Sequence, residues 1–336
     1  MISIIIPAHN SAKTLETAVD SVVSQMKNQA DVEVVIVENS SQDNTFEVAQ
    51  TLQTKHPNVI KIAQSAPGVS NSRNLGMEIA EGEFYFFLDA DDKLAMGALG
   101  RLVEVTKDSS DDLYIFSYMV GNNQISLTKE KVRYTEETVL ELKKEMLANP
   151  TRWMTVWSKL FKRELIVKNK LRFATDLYVA EDGDFMLRYL KYCNSVTVFP
   201  NTSYIYSLNT TSTMRTYDGT KVRGYLTALE SGKKFVDNEM SELNRAYNLY
   251  ILIHLNIMMV REVYSNANNQ TNRERRITFK KVLKEKVIKD ALANSTIGEL
   301  ASPRLLPALL IKLRLSFLAP ILFNVRVWQN SRKETN

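Results

Sequence analysis

The chain reads as an α/β protein. A mostly parallel sheet of βαβ units fills the N-terminal part, and a helical C-terminal region follows. Three observations predict this. Short apolar runs alternate with helical patterns of roughly 10 to 16 residues through the first 120 residues. Those runs lack clean in–out alternation, as strands covered on both faces do. From about Lys221 onward the pattern is nearly all helical.

The elements follow in order. Ile2–Ile6 is a strand ending at Pro7. Ser11–Met26 puts Leu15, Val19, Val22 and Val23 on one helix face. Val32–Val37 is a β-branched strand that stops at Glu38-Asn39-Ser40-Ser41. A helix over Thr45–Thr54 and a strand over Val59–Ala63 come next, then Pro67-Gly68 and a helix over Ser70–Ala80. Phe84–Leu88 is an aromatic strand running into Asp89; Leu94–Val105 is helical and Leu113–Tyr118 is a fifth strand. Beyond these, the patterns predict a helix over Val132–Leu147, an edge strand over Ser158–Phe161 and a helix over Asp184–Lys191. Short strands are expected at Ser195–Val198 and Tyr204–Tyr206. A boundary near 210 separates domain 1–210 from a helical domain 211–336.

Composition narrows the class. The 336 residues suit about two domains at roughly 150 residues each. Hydrophobic content of 44% with only 11 Gly and 8 Pro excludes collagen-like, low-complexity and disordered chains. Cys193 is the only cysteine, so an internal disulfide and a Cys-based zinc site are excluded. His9, His56 and His254 are scattered, which leaves carboxylates to hold any catalytic metal. No signal-peptide pattern precedes the first strand, and an intracellular, reducing location is expected. The apolar run Leu249–Val260 contains His254 and Asn256 and reads as a buried helix rather than a membrane span. Charge is asymmetric: residues 1–120 carry 8 Lys/Arg against 17 Asp/Glu, the remainder 35 against 21. The basic part suits an anionic partner such as a membrane surface or acidic polymer, with a merely solvated Lys-rich face as the bland alternative.

Asp89-Ala90-Asp91-Asp92 is the centre of the chemistry. Crowded carboxylates repel one another, and a divalent cation removes that penalty; carboxylates suit Mg²⁺ or Mn²⁺. The cluster follows a strand, where open α/β sheets bind ligands, although Asp92 alone would also serve as a helix cap. Other strand ends carry suitable groups. Pro7, Ala8 and Asn10 follow the first strand, and Glu38 and Asn39 end the second. Gly68 opens a helix that carries Arg73, a planar fork for phosphate oxygens. Glu181 and Asp182 are adjacent and are expected to point different ways, with capping of the next helix as the competing role.

These pieces, in this order, resemble the Rossmann-like GT-A domain of family 2 glycosyltransferases. The matching segments are Ile2–Asn10, Val35–Thr45, Gly68–Gly76, Phe87–Asp92, Trp157–Phe161 and Ala180–Phe185, and the resemblance covers about 210 residues. It implies a nucleotide-sugar donor, a UDP-sugar first, a metal cofactor (Mn²⁺ or Mg²⁺), and inversion at the anomeric carbon. It makes Asp91 the principal metal ligand and puts Asp89 near the ribose or metal, with Ala90 between them. It makes Asp182 the general base. Pro7, Ala8 and Glu38, with Asn10, Asn39 and Gly68, belong to the donor-binding set, and Arg73 lies near the diphosphate. One departure stands out: the family's usual Asp-Asp after the second strand is Glu38-Asn39 here.

Trp153 and Trp157 are candidates to stack on an acceptor sugar, with core packing as the competing role. Lys159 and Arg163 are candidates to meet an acceptor phosphate, and Glu181 joins the acceptor set. Ser212-Thr213-Met214-Arg215 is a candidate flap over the donor. The tail Pro303–Trp328 is apolar with interspersed Arg304, Lys312, Arg314 and Arg326. It suits the interface of an anionic membrane, or alternatively packing on the protein or a homo-oligomer seam. The expected protein is a bacterial, cytoplasmic enzyme, peripheral on the inner membrane face, acting on a lipid-linked or cell-envelope glycan. Two readings compete. A nucleotidyltransferase would carry a Gly-rich basic loop after the first strand, which Pro7–Asn10 is not. A non-catalytic scaffold would not need Asp89, Asp91 and Asp182. No nucleic-acid-binding motif is present.

Overall fold

The computed structural model describes residues 1–28, 31–107, 110–208, 217 and 219–335; the candidate flap at Ser212–Arg215 lies outside them. The chain divides into two compact units, 1–142 with 155–209 and 143–154 with 210–336.

The first unit is organised by one ten-stranded sheet. Its strands are β1 (Ile2–Ala8), β2 (Val32–Glu38), β3 (Ile60–Gln64), β4 (Phe84–Phe87), β5 (Lys93–Leu94), β6 (Leu113–Val120), β7 (Asn123–Ile125), β8 (Val132–Tyr134), β9 (Lys159–Lys162) and β10 (Val196–Tyr206). They lie in the order β3-β2-β1-β4-β9-β6-β10-β5, with β7 on β6 and β8 on β10. β1 pairs in parallel with both β2 and β4, and every residue of β1 and β2 is buried. That explains their unbroken apolar runs: helices cover both faces. Helices α1 (Leu15–Val23), α2 (Thr45–Lys55), α3 (Val69–Ile79) and α4 (Ala98–Thr106) supply the crossovers. Gly76 lets α3 lie directly on β1, because a Cβ there would collide with the Ile5 side chain.

Several elements differ from the sequence expectation. The stretch expected as a helix over Val132–Leu147 is split: β8 pairs antiparallel with β10, and helix α5 (Val139–Ala148) starts only after a turn at Thr135–Thr138. The β-branched and aromatic side chains of Val132 and Tyr134 favour the strand. β9 is not an edge strand but sits between β4 and β6, antiparallel to both. The two short strands near residue 200 are one, β10, whose register against β6 shifts on either side of Thr202, just after Pro200. Leu94 belongs to β5, and α4 waits until the left-handed Gly97 at φ 70°. Two short helices follow α5, α6 (Pro150–Trp153) and α7 (Arg163–Lys168), and then α8 (Glu181–Tyr192).

The second unit is helical. It contains α9 (Lys221–Glu239), α10 (Asn244–Met258), α11 (Asn272–Val282), α12 (Lys286–Asn294), α13 (Ile297–Leu300), α14 (Leu306–Lys312) and α15 (Ala319–Thr335). The apolar run read as a buried helix forms most of α10 and continues into a π-helical turn at Met259–Val263; Ile251, Leu252, Leu255 and Met258 are buried. Among the described residues no helix is long and apolar enough to cross a membrane.

Candidate active site

The strand order changes direction at β1, with β2 and β3 on one side and β4 on the other. Open α/β sheets leave a crevice at such a switch point, beyond the carboxyl ends of the strands. The loops leaving β1, β2 and β4 meet the N-terminal turns of α3 and α8 there.

The acidic turn leaves β4. Asp92 is 1% exposed. Its carboxylate accepts from the Tyr204 hydroxyl at 2.6 Å and from the Ser207 amide at 2.7 Å, tying the turn to β10. The same hydroxyl accepts the Asp89 amide at 3.2 Å. Burial, reinforced by the Asp89 charge, pushes Asp92 up to about 8. Asp92 therefore anchors the turn and does not cap the next helix. Ala90 is buried, while Asp89 and Asp91 remain partly exposed.

Arg73 rises from the second turn of α3 and is 3% exposed. One terminal nitrogen donates to Asp182 Oδ1 at 2.6 Å and to Glu181 Oε1 at 3.2 Å. The other donates to Asp89 Oδ1 at 3.2 Å. The guanidinium lies 5.3 Å from the Phe173 ring centre, within cation–π range. Glu181 and Asp182 thus converge on one cation, contrary to the expectation that they diverge. The longer glutamate side chain bridges the roughly 100° step between successive helix positions.

One guanidinium here serves three carboxylates, and the two sides of the cluster respond differently. The carboxylates hold Arg73 in its charged form against burial. Asp182 moves the other way, up to about 7: burial raises it, and Glu181 and Asp89 add to the rise, outweighing Arg73. The second Asp182 oxygen accepts the Val156 amide at 3.4 Å. Asp184, also in the first turn of α8, grips Arg188 with both oxygens at 2.8 and 3.0 Å.

A second cluster joins the ends of β1 and β2. The Asn39 amide donates to the Ala8 carbonyl at 2.8 Å, and its side-chain oxygen accepts the Gly68 amide at 2.8 Å. Gly68 takes φ 116°, which suits glycine. Asn10, left-handed at φ 49°, accepts the Gln42 amide at 2.8 Å. Glu38 is buried, and its oxygens accept the Ser41 amide and the Gln64 side chain. Burial opposes ionisation there, but these donors prevail and hold the carboxyl below its usual range. Both Glu38 oxygens therefore already serve the loop. Pro7 and Ala8 are buried beneath it.

The acceptor candidates are placed differently from expectation. Lys159 is not a surface contact: it is 1% exposed, with Nζ 3.4 Å from Thr155 Oγ1 and from the Trp157 carbonyl. Burial drives its amine down to about 7. The cause is β9, whose insertion between β4 and β6 buries the strand. Trp157 is packed rather than presented, stacked on Tyr204 at 4.8 Å and edge-on to Tyr118 at 4.6 Å. Trp153 is also buried, and Arg163 reaches the Glu81 carbonyl. Tyr204 and Phe173 were not foreseen as site residues. Nothing local marks them, because their roles arise from partners 115 and about 100 positions away.

Asp89 and Asp91 offer only carboxylate oxygens, which fits a hard divalent cation. Among the described residues no group of three or more His, Cys, Asp or Glu is arranged to hold a metal. A two-carboxylate donor set fits Mg²⁺ or Mn²⁺, whose remaining positions water and a bound diphosphate would fill.

A mostly parallel sheet with an acidic turn at its switch point and a helical C-terminal region defines a GT-A glycosyltransferase architecture. The model of glycosyl transferase family 2 matches residues 3–167, so this part of the chain carries a domain of that family. It is similar to the poly(ribitol-phosphate) beta-glucosyltransferase of Bacillus spizizenii, at 29% identity over 208 residues. That match covers 61% of this chain and only 32% of the relative. It is 25% identical to the uncharacterized glycosyltransferase EpsJ of Bacillus subtilis over 97% of this chain and 96% of the relative. Among solved structures, Staphylococcus aureus TarS 1-349 in complex with UDP-GlcNAc superposes with TM-score 0.70 at 19% identity, over 95% of this chain and 90% of that one.

Proposed function

We propose that the protein is a metal-dependent, inverting glycosyltransferase. It would move a sugar from a UDP-sugar to a hydroxyl of a lipid-linked or cell-envelope glycan at the inner face of the membrane. The observation that carries this reading is the convergence of Arg73, Asp89, Glu181 and Asp182 at the carboxyl end of β4, beside β1. The GT-A fold and a solved relative bound to UDP-GlcNAc support the donor class. A relative named for poly(ribitol-phosphate) supports an anionic cell-envelope acceptor.

The residues take the following parts. Asp182 has one oxygen on Arg73 and a proton affinity lifted by burial, so it is tuned to accept a proton near neutrality. It takes the proton of the acceptor hydroxyl as the hydroxyl oxygen bonds to the anomeric carbon and the bond from that carbon to the nucleoside diphosphate breaks. Asp89 and Asp91 would hold Mn²⁺ or Mg²⁺, and the bound ion would supply positive charge to balance the departing diphosphate. Arg73 adds a fixed positive charge at the same place. Asn39 shapes the floor for the nucleotide by fixing Gly68 at the start of α3, and Glu38 holds the adjoining loop.

Calorimetric titration of UDP into the protein with Mn²⁺, repeated with EDTA and with Asp91→Ala, tests the reading. Micromolar affinity that falls at least tenfold on chelation and in the variant is expected. Undiminished binding in EDTA would overturn the metal assignment. No UDP binding in any condition would overturn the donor assignment and leave a scaffold as the better account.

A further inference from the structure

Helix α15 is apolar on two opposite faces. Ala319, Phe323 and Val327 are buried, and Phe323 packs against Tyr264 at 5.4 Å and Phe279 at 5.7 Å. A surface helix normally turns polar residues the other way. Here Ile321, Val325 and Trp328, spaced i, i+4, i+7, face outward at 58, 44 and 52% exposure. The turn before the helix extends the patch with Leu313, Leu315 and Phe317, the last 68% exposed. Exposed apolar clusters of this kind mark interaction surfaces.

The charge around the patch selects the partner. Residues 303–328 contain Arg304, Lys312, Arg314 and Arg326 and no Asp or Glu. The backbone is pinned among them. Arg326 donates to the Pro303 carbonyl, Lys312 Nζ donates to the Leu292 carbonyl at 2.7 Å, and Arg332 lies 4.0 Å over the Trp328 ring. A second copy of the chain meeting this face would set the four cations of this stretch against the same four. An anionic lipid surface accepts both the apolar side chains and the excess positive charge of this stretch.

We infer that the face formed by Leu313, Leu315, Phe317, Ile321, Val325 and Trp328 docks on an anionic bilayer, lying in its interface without crossing it. Phe317 and Trp328 enter the headgroup–acyl boundary, and the exposed Arg314 stays at phosphate level. This inference does not depend on the catalytic assignment.

The test is flotation with vesicles of phosphatidylcholine alone or with 30% phosphatidylglycerol, read beside the fluorescence of Trp328. The other two tryptophans, Trp153 and Trp157, are buried, so a change on vesicle addition reports Trp328. Binding to the anionic vesicles at least tenfold stronger than to neutral ones is expected, weakened by salt, with a blue shift that Trp328→Phe removes. The triple variant Phe317→Ser, Ile321→Ser, Trp328→Ser should lose at least tenfold in vesicle binding yet titrate UDP as the unmodified protein does. Loss of UDP titration and of the cooperative melt together would mark misfolding; the single variant Phe317→Ser, read in the same flotation, then carries the decision. No preference for anionic vesicles, or unchanged binding in Phe317→Ser and the triple variant, overturns the inference. So does a dimer in sedimentation velocity that the triple variant dissolves while neither protein floats.

Discussion

At the scale of single residues, Asp182 is the most informative group. A base works only as the carboxylate, and burial lifts this one to about 7. Turnover at low substrate should therefore rise with pH through about 7 and level off above it. Asp182→Asn should lower turnover by about 10² to 10⁴-fold, the usual range for a positioned base, while UDP affinity is largely kept. Steady-state rates across pH 5.5 to 9 check this; a variant within tenfold of the unmodified enzyme would sink the assignment. The raised proton affinity also bears on stability, with a definite sign. A carboxyl whose folded value is raised favours the folded state at low pH, and that advantage is lost as pH rises through about 7. The types and spacing of Arg73, Asp89, Asp91 and Asp182 were legible in the sequence because each sits at a strand end or helix start. The Arg73 bonds to three carboxylates were not legible, since side-chain direction depends on packing between α3, α8 and β4.

At the scale of elements, the close approach of α3 to β1 rests on Gly76. Gly76→Ala would drive a methyl into the Ile5 side chain beneath it. Overpacking of this kind costs about 1–3 kcal/mol, so a urea melt should shift to lower midpoint with little change in slope. Arg73 lies one turn earlier on the same helix, so UDP affinity should fall as well. An unshifted melt would mean that α3 slides without cost. The central strands and their helices were readable from periodicity alone, because β1, β2 and β4 are buried on both faces. β8, β9 and the continuous β10 were misread for a common reason. Each is short or interrupted, and its state is decided by a partner far along the chain: Val132 against Val198, Leu160 against Tyr114, Tyr204 against Leu94. Lys159 followed the fate of β9, so a residue expected at the surface became a buried amine.

At the scale of the whole molecule, the helical unit carries its own acid sensitivity. His254 is buried in α10, and that burial drives it down to about 4. A group with a depressed folded value contributes stability above its unfolded value, and that stability is lost as pH falls toward the folded value. The loss should run from about pH 6.5 to 4 and reach about 3 kcal/mol, because each pH unit between the unfolded and folded values is worth about 1.36 kcal/mol. Denaturant melts at pH 7 and pH 4.5 measure it, and His254→Phe should flatten the difference. Equal losses in both proteins would assign the acid sensitivity elsewhere.

The sequence by itself determined the α/β class, the strand ends where the candidate site forms, the family resemblance and the carboxylates that gather there. These follow from local patterns: runs of apolar residues, turn residues and short motifs. Only the tertiary structure decided that Asp92 is an anchor, that Glu38 braces a loop, that Trp157 and Lys159 are interior, and that α15 leaves an apolar face uncovered. Each of these depends on which surfaces meet across long stretches of chain. Burial and hydrogen-bond partnership are properties of those meetings, and no local pattern encodes them.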